Sequence, residues 1–213
     1  MKILNLYACL GGNRYLWNEV KDDIEVTAVE LDEELAKLYQ ERFPNDKVII
    51  ADAHQYLLDH YKEYDFIWSS PPCPTHSRFN ISMKNKRKMK YPDMGLYQEI
   101  IFLKHYYKGK YCIENVIPFY ETLIPAEKRN RHLYWVNFKL PNTLSNRKNP
   151  DLGRTKHLIN ALSDFHQYDF RKYKGKQALN KIARNLVDYE AGKTILEAVL
   201  GINKNKYKQT ELF

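Results

Sequence analysis

Five short apolar segments, each closed by polar or glycine-bearing residues and separated by stretches of helical pattern, set the tightest constraint on this chain of 213 residues. Residues 3–7, 25–30, 48–50, 65–69 and 111–115 read as strands; 33–43, 54–61 and 96–107 read as helices, and Gly11-Gly12 as a turn into another helix. Short apolar strands alternating with helices are the pattern of a doubly wound, parallel α/β sheet. Such sheets bind ligands at the carboxyl ends of their strands. At those ends stand, in order, Gly11-Gly12, Glu30, Asp52, Pro71-Pro72-Cys73 and Glu114-Asn115-Val116. Gly-Gly admits close backbone approach to a ligand, or is only a turn. An acid ending the second strand sits where a nucleotide presents its ribose hydroxyls. Asp52 is placed to accept from an adenine amino group.

Charge is divided along the chain. Residues 1–75 hold 7 Lys/Arg and 14 Asp/Glu, residues 76–213 hold 27 and 12, so the net +8 separates into −7 and +15. A basic surface confined to one part of a fold fits a polyanionic partner; a Lys-rich solvated surface reads the same way from charge alone. Hydrophobic residues at 44% suffice for a core, and three scattered cysteines, Cys9, Cys73 and Cys112, give neither a disulfide framework nor a metal site. The opening residues run into a strand rather than a signal peptide, and no apolar run reaches the ~18 residues of a membrane span. A soluble cytoplasmic protein, with no membrane partner, is expected.

After Asn115 the alternation fades. The organisation expected is a catalytic, cofactor-binding domain over 1–138, with residues 133–138 as a further strand. A small basic annex follows over 139–179, then a helical segment over 180–201 returning to the first domain, and a Lys/Asn-rich tail over 202–213. The 191–200 pattern is an amphipathic helix ended by Gly201.

Pro71-Pro72-Cys73 puts a thiol on a stiff loop at the functional edge of the sheet. A buried cysteine is by default a small hydrophobe; the two prolines before it and Thr75-His76-Ser77-Arg78 after it favour a nucleophile. Lys84, Lys86, Arg87, Lys88 and Lys90 form a basic run shortly after that loop, suited to phosphate contacts or to plain solvation.

The order of these motifs resembles the DNA cytosine-5 methyltransferase family, from residue 1 to about 201 apart from the annex. The resemblance is carried by Leu4-Asn5-Leu6-Tyr7-Ala8-Cys9-Leu10-Gly11-Gly12, Glu30, Asp52, Pro71-Pro72-Cys73-Pro74-Thr75-His76-Ser77, Glu114-Asn115-Val116, Arg129-Asn130-Arg131 and Arg184-Asn185-Leu186-Val187. It implies a Rossmann-like, S-adenosylmethionine-dependent methyltransferase fold with 139–179 as a target-recognition annex. By resemblance, the Cys73 thiolate adds to C6 of a flipped cytosine, Glu114 holds a proton against N3 and the exocyclic amine, and Arg131 with Arg129 fixes the base. Tyr7, Leu10, Gly11, Gly12, Glu30, Leu31, Asp52, Ala53, Pro72 and Asn185 are implied for S-adenosyl-L-methionine. Ser77, Arg78 and the basic run are implied for DNA. Tyr7 and Leu31 read equally as core residues.

Departures from the family pattern are Asn5 and Tyr7 for Asp and Phe, Pro74 for Gln, Glu127 for Gln, and Arg184-Asn185-Leu186-Val187 for the late Gly-Asn motif. At the far end, Gln209-Thr210-Glu211-Leu212-Phe213 resembles the peptide by which bacterial replication proteins dock on the sliding clamp, with Gln209, Leu212 and Phe213 as contacts. The reading is thus a DNA cytosine-5 methyltransferase, a monomer, acting near the nucleoid of a bacterium or phage-infected host. Its alternatives are the same chemistry on tRNA, or a non-catalytic DNA- or clamp-binding protein on the same fold.

Overall fold

The computed structural model describes residues 1–82, 90–148, 150 and 157–202. Its strands are β1 (Lys2–Leu6), β2 (Glu25–Glu30), β3 (Lys47–Ile50), β4 (Phe66–Ser69), β5 (Lys110–Val116), β6 (Glu127–Arg129) and β7 (His132–Val136). The helices are α1 (Trp17–Val20), α2 (Glu33–Arg42), α3 (Ala53–His60), α4 (Arg78–Ser82), α5 (Gly95–Tyr106), α6 (Leu158–His166), α7 (Leu179–Asn185) and α8 (Tyr189–Val199).

Among the described residues the strands form one seven-stranded sheet in the order β3-β2-β1-β4-β5-β7-β6. The five expected strands pair in parallel, β1 lying between β2 and β4. The chain therefore winds outward in both directions from β1, and the carboxyl ends of β1 and β4 flank the switch point where such folds open a crevice. The fold is the Rossmann-like α/β architecture the motifs implied.

Three local features add to the sequence reading. The far edge of the sheet is antiparallel: β5 pairs with β7, and β7 with β6. β6 is three residues, Glu127-Lys128-Arg129, with nothing apolar to mark it in sequence; it forms because β7 offers an open edge. The glycine turn does not lead into a long helix either, since turns persist to Leu16 and α1 is a single turn.

Alternation along the strands buries both faces. Leu4, Leu6, Ile67, Ile113, Leu133 and Trp135 pack with Leu57 of α3 and Leu96, Ile100 and Leu103 of α5. Ile3, Phe66, Trp68, Cys112 and Tyr134 pack with Trp17 of α1 and Ala191, Ile195 and Leu196 of α8. Helix starts follow their caps: Asp32 Oδ1 accepts from the N–H groups of Glu34 and Leu35, both at 3.1 Å, and Asp52 from Gln55 at 2.8 Å.

The 139–179 segment divides: Leu140 and Leu144 join the cluster with α1 and α8, while its part from α6 onward packs on α2. Leu162 of α6, Phe170 and Tyr173 share a cluster with Leu10, Leu35, Leu38 and Ile182. Tyr173 and Gln177 also donate to Asp32 Oδ2 at 2.8 and 2.9 Å. Lys84, Lys86, Arg87 and Lys88 of the basic run, part of the annex, and Gln209, Leu212 and Phe213 of the tail lie outside the described residues. Among the described residues no helix is long and apolar enough to cross a membrane.

Candidate active site

The loop after β4 carries Cys73 and is held at both ends. Asn115, the last buried residue of β5, donates its side-chain amide to the Pro71 carbonyl at 2.9 Å. Beyond the thiol, the Cys73 carbonyl accepts from the N–H groups of His76 and Ser77, each at 3.0 Å. His76 is buried with its Nδ1 2.5 Å from the Tyr120 hydroxyl. Prolines at 71 and 72 restrict φ between these anchors.

Cys73 and Glu114 line one cavity of about 150 Å³, together with Arg129, Arg131, His132 and residues 184–188. The Ser70 hydroxyl donates to Glu114 Oε2 at 3.0 Å while accepting from Trp68 Nε1 at 2.9 Å. His132 Nε2 lies 3.4 Å from Glu114 Oε1. Burial pushes the Cys73 thiol up from its ordinary value, and the nearby Glu114 charge adds to the shift. Cys73 therefore rests as the thiol, and neutralising Glu114 would ease its ionisation.

Arg131 and Arg129, taken together from one motif with Arg131 first, separate in the fold. β6 and β7 are joined by a two-residue turn, Asn130-Arg131, with Asn130 at φ 50°. Arg129 lies on β6 and spends its guanidinium on the carbonyls of Pro141 (2.6 Å), Leu140 (3.1 Å) and Lys128 (2.9 Å) and on Glu127 (2.6 Å). Arg131 sits at the turn, exposed, on the cavity wall.

A second cavity of about 580 Å³ opens on the other side of Pro72, within the size range of small-molecule sites. Tyr7, Gly12, Glu30, Leu31, Asp52, Ala53, Pro72 and Asn185 line it, as do Cys9, Asp32, Gln177 and Lys181. Glu30 accepts from the N–H of Cys9 at 2.8 Å and of Asp32 at 3.0 Å, and burial holds its pKa above the usual carboxylate value. Leu31 is 67% exposed at the rim, an apolar surface free for a ring. Pro72, Ser70 and residues 185–187 line both cavities, so the two meet.

Leu10 and Gly11 do not line either cavity. Leu10 is fully buried in the cluster with α2. Gly11 takes φ +65°, and a Cβ there would meet the rings of Phe43 and Tyr39 at 2.4 and 2.7 Å, so this glycine serves packing. Gly12 serves closure: a Cβ would lie 2.3 Å from the Val187 carbonyl, which crosses over the loop. Ser77, Arg78 and Lys90 follow the thiol loop; Arg78 and Lys90 are exposed, and Asn80 bonds the backbone of Lys90 at 2.7 and 3.3 Å.

Sequence reasoning missed Ser70 and His132. His132 reaches Glu114 because the register sets Val116 opposite His132 and Glu114 opposite Tyr134, making the two diagonal neighbours on one face. That placement needs an antiparallel pairing the sequence does not announce.

The arrangement sets a thiol, a carboxyl group and a cation around one small cavity, beside a larger cavity with carboxylates and an apolar rim. A family model described as C-5 cytosine-specific DNA methylase matches residues 1–122. No curated protein matches the chain. Among solved structures, the Entamoeba histolytica methyltransferase EhMeth is 12% identical with a TM-score of 0.55, over 94% of this chain and 98% of that one, which supports the fold. A DNMT2 mutant from Spodoptera frugiperda is 26% identical with a TM-score of 0.43, over 57% of this chain. The chain spans 37% of that insect protein's length.

Proposed function

The chain belongs to the C-5 cytosine-specific DNA methylase family, and from that premise we propose that it methylates C5 of cytosine in DNA, using S-adenosylmethionine and a covalent bond from Cys73 to C6. The observation that carries this reading is the meeting of two cavities at Pro72, one holding Cys73 and Glu114, the other Glu30, Asp52 and Leu31. The second cavity's chemistry fits the cofactor. Glu30 keeps lone pairs for ribose hydroxyls, Asp52 offers a carboxylate for an amino group, and Leu31 offers an apolar face.

Cytosine C5 is too weak a nucleophile to be alkylated directly. Addition of the Cys73 sulfur to C6 moves the C5–C6 π electrons to C5 and leaves an enamine. Negative charge would otherwise build on the ring, and a proton held between Glu114 and N3 offsets it. Ser70 and His132 fix the Glu114 carboxyl for that contact. When bound, S-adenosylmethionine supplies an electrophilic methyl group. Loss of the C5 proton then returns an electron pair to the ring and expels Cys73 as thiolate.

Burial and the Glu114 charge both oppose ionisation of Cys73, so a base whose N3 engages Glu114 through a proton weakens the second of these and favours the thiolate. Arg131 at the cavity wall and the exposed Arg78 and Lys90 supply positive charge for phosphates or the base carbonyl. The target must be unpaired to reach a cavity this enclosed. The basic run suits DNA as a partner, and Gln209, Leu212 and Phe213 suit a sliding clamp.

The test is methyl transfer from labelled S-adenosylmethionine to mixed-sequence duplex DNA and to tRNA, with nucleoside analysis, beside Cys73→Ser. Labelled 5-methyldeoxycytidine that requires the thiol supports the proposal. Label in 5-methylcytidine of tRNA alone moves the substrate to RNA, and cofactor binding without label in either sinks the catalytic reading.

A further inference from the structure

α5 buries an apolar stripe formed by Leu96, Ile100 and Leu103, and Glu99 falls on that stripe, three residues after the first and four before the last. The side chain is fully buried. A carboxylate placed among leucines costs folding free energy unless it is paired and hydrogen-bonded. Glu99 is both. Oε1 accepts the Tyr7 hydroxyl at 2.5 Å and lies 3.2 Å from His54 Nδ1, while Oε2 accepts the Ser69 hydroxyl at 2.6 Å.

The three partners come from three different strand ends. Tyr7 follows β1, His54 is in the first turn of α3 after β3, and Ser69 ends β4. Each is at, or one residue from, a wall of the larger cavity: Tyr7 lines it, Ala53 precedes His54, and Ser70 follows Ser69. Tyr7 also takes a left-handed φ of 56°, a conformation disfavoured for a bulky residue and held here by its surroundings.

On the reading of that cavity as the cofactor site, we propose that Glu99 is its positioning residue, tying the three strand ends together from beneath so that the cofactor meets a preformed wall. Glu99 touches neither cofactor nor base; it acts through Tyr7, His54 and Ser69. A leucine in its place would pack the helix equally well but leave the three loops unlinked, and Tyr7 without the partner for its hydroxyl.

The pairing has an electrostatic side. His54 faces Glu99, Asp52 and Asp93, and the hydrogen bond to Glu99 together with these charges raises its pKa above the ordinary imidazole value, although partial burial opposes this. The positive charge His54 sets against Glu99 thus persists to higher pH than that of an ordinary imidazole and is lost as pH rises through the His54 titration. Cofactor affinity follows it downward.

The experiment is calorimetric binding of S-adenosylmethionine to the full chain, with steady-state KM and kcat, for wild type, Glu99→Gln, Tyr7→Phe and the double variant. Glu99→Gln keeps the shape and removes the charge; its cofactor Kd and KM rise about tenfold while kcat stays within about threefold, since the methyl acceptor side is untouched. Tyr7→Phe gives a smaller rise, and the double variant binds no worse than Glu99→Gln, as expected for one network. Wild-type Kd weakens between pH 6 and 9, and Glu99→Gln flattens that slope.

A folded Glu99→Gln that binds within twofold of wild type, with the same pH slope, overturns the inference and leaves the proposed function standing. Should that variant fail to fold, a Tyr7→Phe affinity equal to wild type together with a flat wild-type pH profile overturns it instead. A wild-type protein that binds no cofactor removes the proposed function, and this inference with it.

Discussion

Asn115 donates to the Pro71 carbonyl at 2.9 Å, and this one bond sets the loop bearing Cys73 against the strand bearing Glu114. Asn115 is buried, and its Oδ1 is occupied by the N–H of Val116 at 2.9 Å, so the amide cannot turn without losing both bonds. The Glu-Asn-Val motif thus does two things at once: Glu114 faces the cavity and Asn115 locks the distance to the nucleophile.

Replacing Asn115 by Ala leaves the Pro71 carbonyl without its partner and the thiol loop free to shift. A misplacement near 1 Å costs roughly a hundredfold in rate, so kcat for methyl transfer is expected to fall by about that factor. Cofactor Kd, measured by calorimetry, changes much less than kcat because Glu30 and Asp52 stand at the ends of β2 and β3 rather than on the thiol loop. A variant with unchanged kcat would mean that the loop is held by its other anchors.

The Cys73 thiol ionises above its ordinary value because of burial and, second, the Glu114 charge. Alkylation rate against pH therefore has its midpoint above that of a free thiol. In Glu114→Gln the midpoint moves down but not fully back, as burial remains. Cys9, pushed up to about 12 by burial, and the fully buried Cys112 stay silent in the same titration. Mass spectrometry of the labelled peptides distinguishes the three, and an unmoved midpoint in Glu114→Gln would refute the coupling.

Arg129 and Arg131 are expected to fail in different ways. Arg129→Ala forfeits four donated bonds, two of which tie β6 to residues 140–141 and one of which meets the Glu127 carboxylate, so it lowers stability by about 1–3 kcal/mol. That appears as a drop of several degrees in Tm. Arg131→Ala, at an exposed turn, leaves Tm within about a degree and lowers kcat/KM by tenfold or more. Thermal melts beside initial rates decide, and the reverse pattern would reassign the two residues.

His166 is buried, and burial holds its pKa down to about 4 from 6.5. The unfolded chain takes up a proton near pH 6.5 that the folded protein refuses until about pH 4. Stability from this group is therefore complete above pH 6.5 and falls as pH drops through the window between the two values, by up to about 3 kcal/mol. Urea unfolding of wild type and His166→Phe at pH 7, 5.5 and 4.5 tests this: the variant's stability should fall less steeply over that range. Parallel slopes would place the acid sensitivity elsewhere.

Much of the candidate site was legible along the chain because its parts lie at strand ends, and strand ends are marked locally by where an apolar run stops. Glu30, Asp52, Cys73 and Glu114 all follow or close such runs and all line one of two adjoining cavities. Leu10 and Gly11 belong to the same motif by spacing, yet face α2 instead. Neighbours in a turn point to opposite sides, and which side meets the ligand depends on the helix packed beneath.

What the sequence determined by itself was the β–α alternation and the order of reactive residues along one edge. These rest on hydrophobic period and local hydrogen bonding, which act over a few residues. The tertiary structure alone decided that the last two strands run antiparallel, that His132 stands beside Glu114, that Arg129 is consumed by backbone carbonyls while Arg131 is not, and that Glu99 gathers three loops. Each of those contacts, save Arg129's, joins elements whose register is set by pairing across the sheet or by a helix lying over it. Long-range pairing is fixed only when all the faces are buried together, and no local pattern can state it in advance.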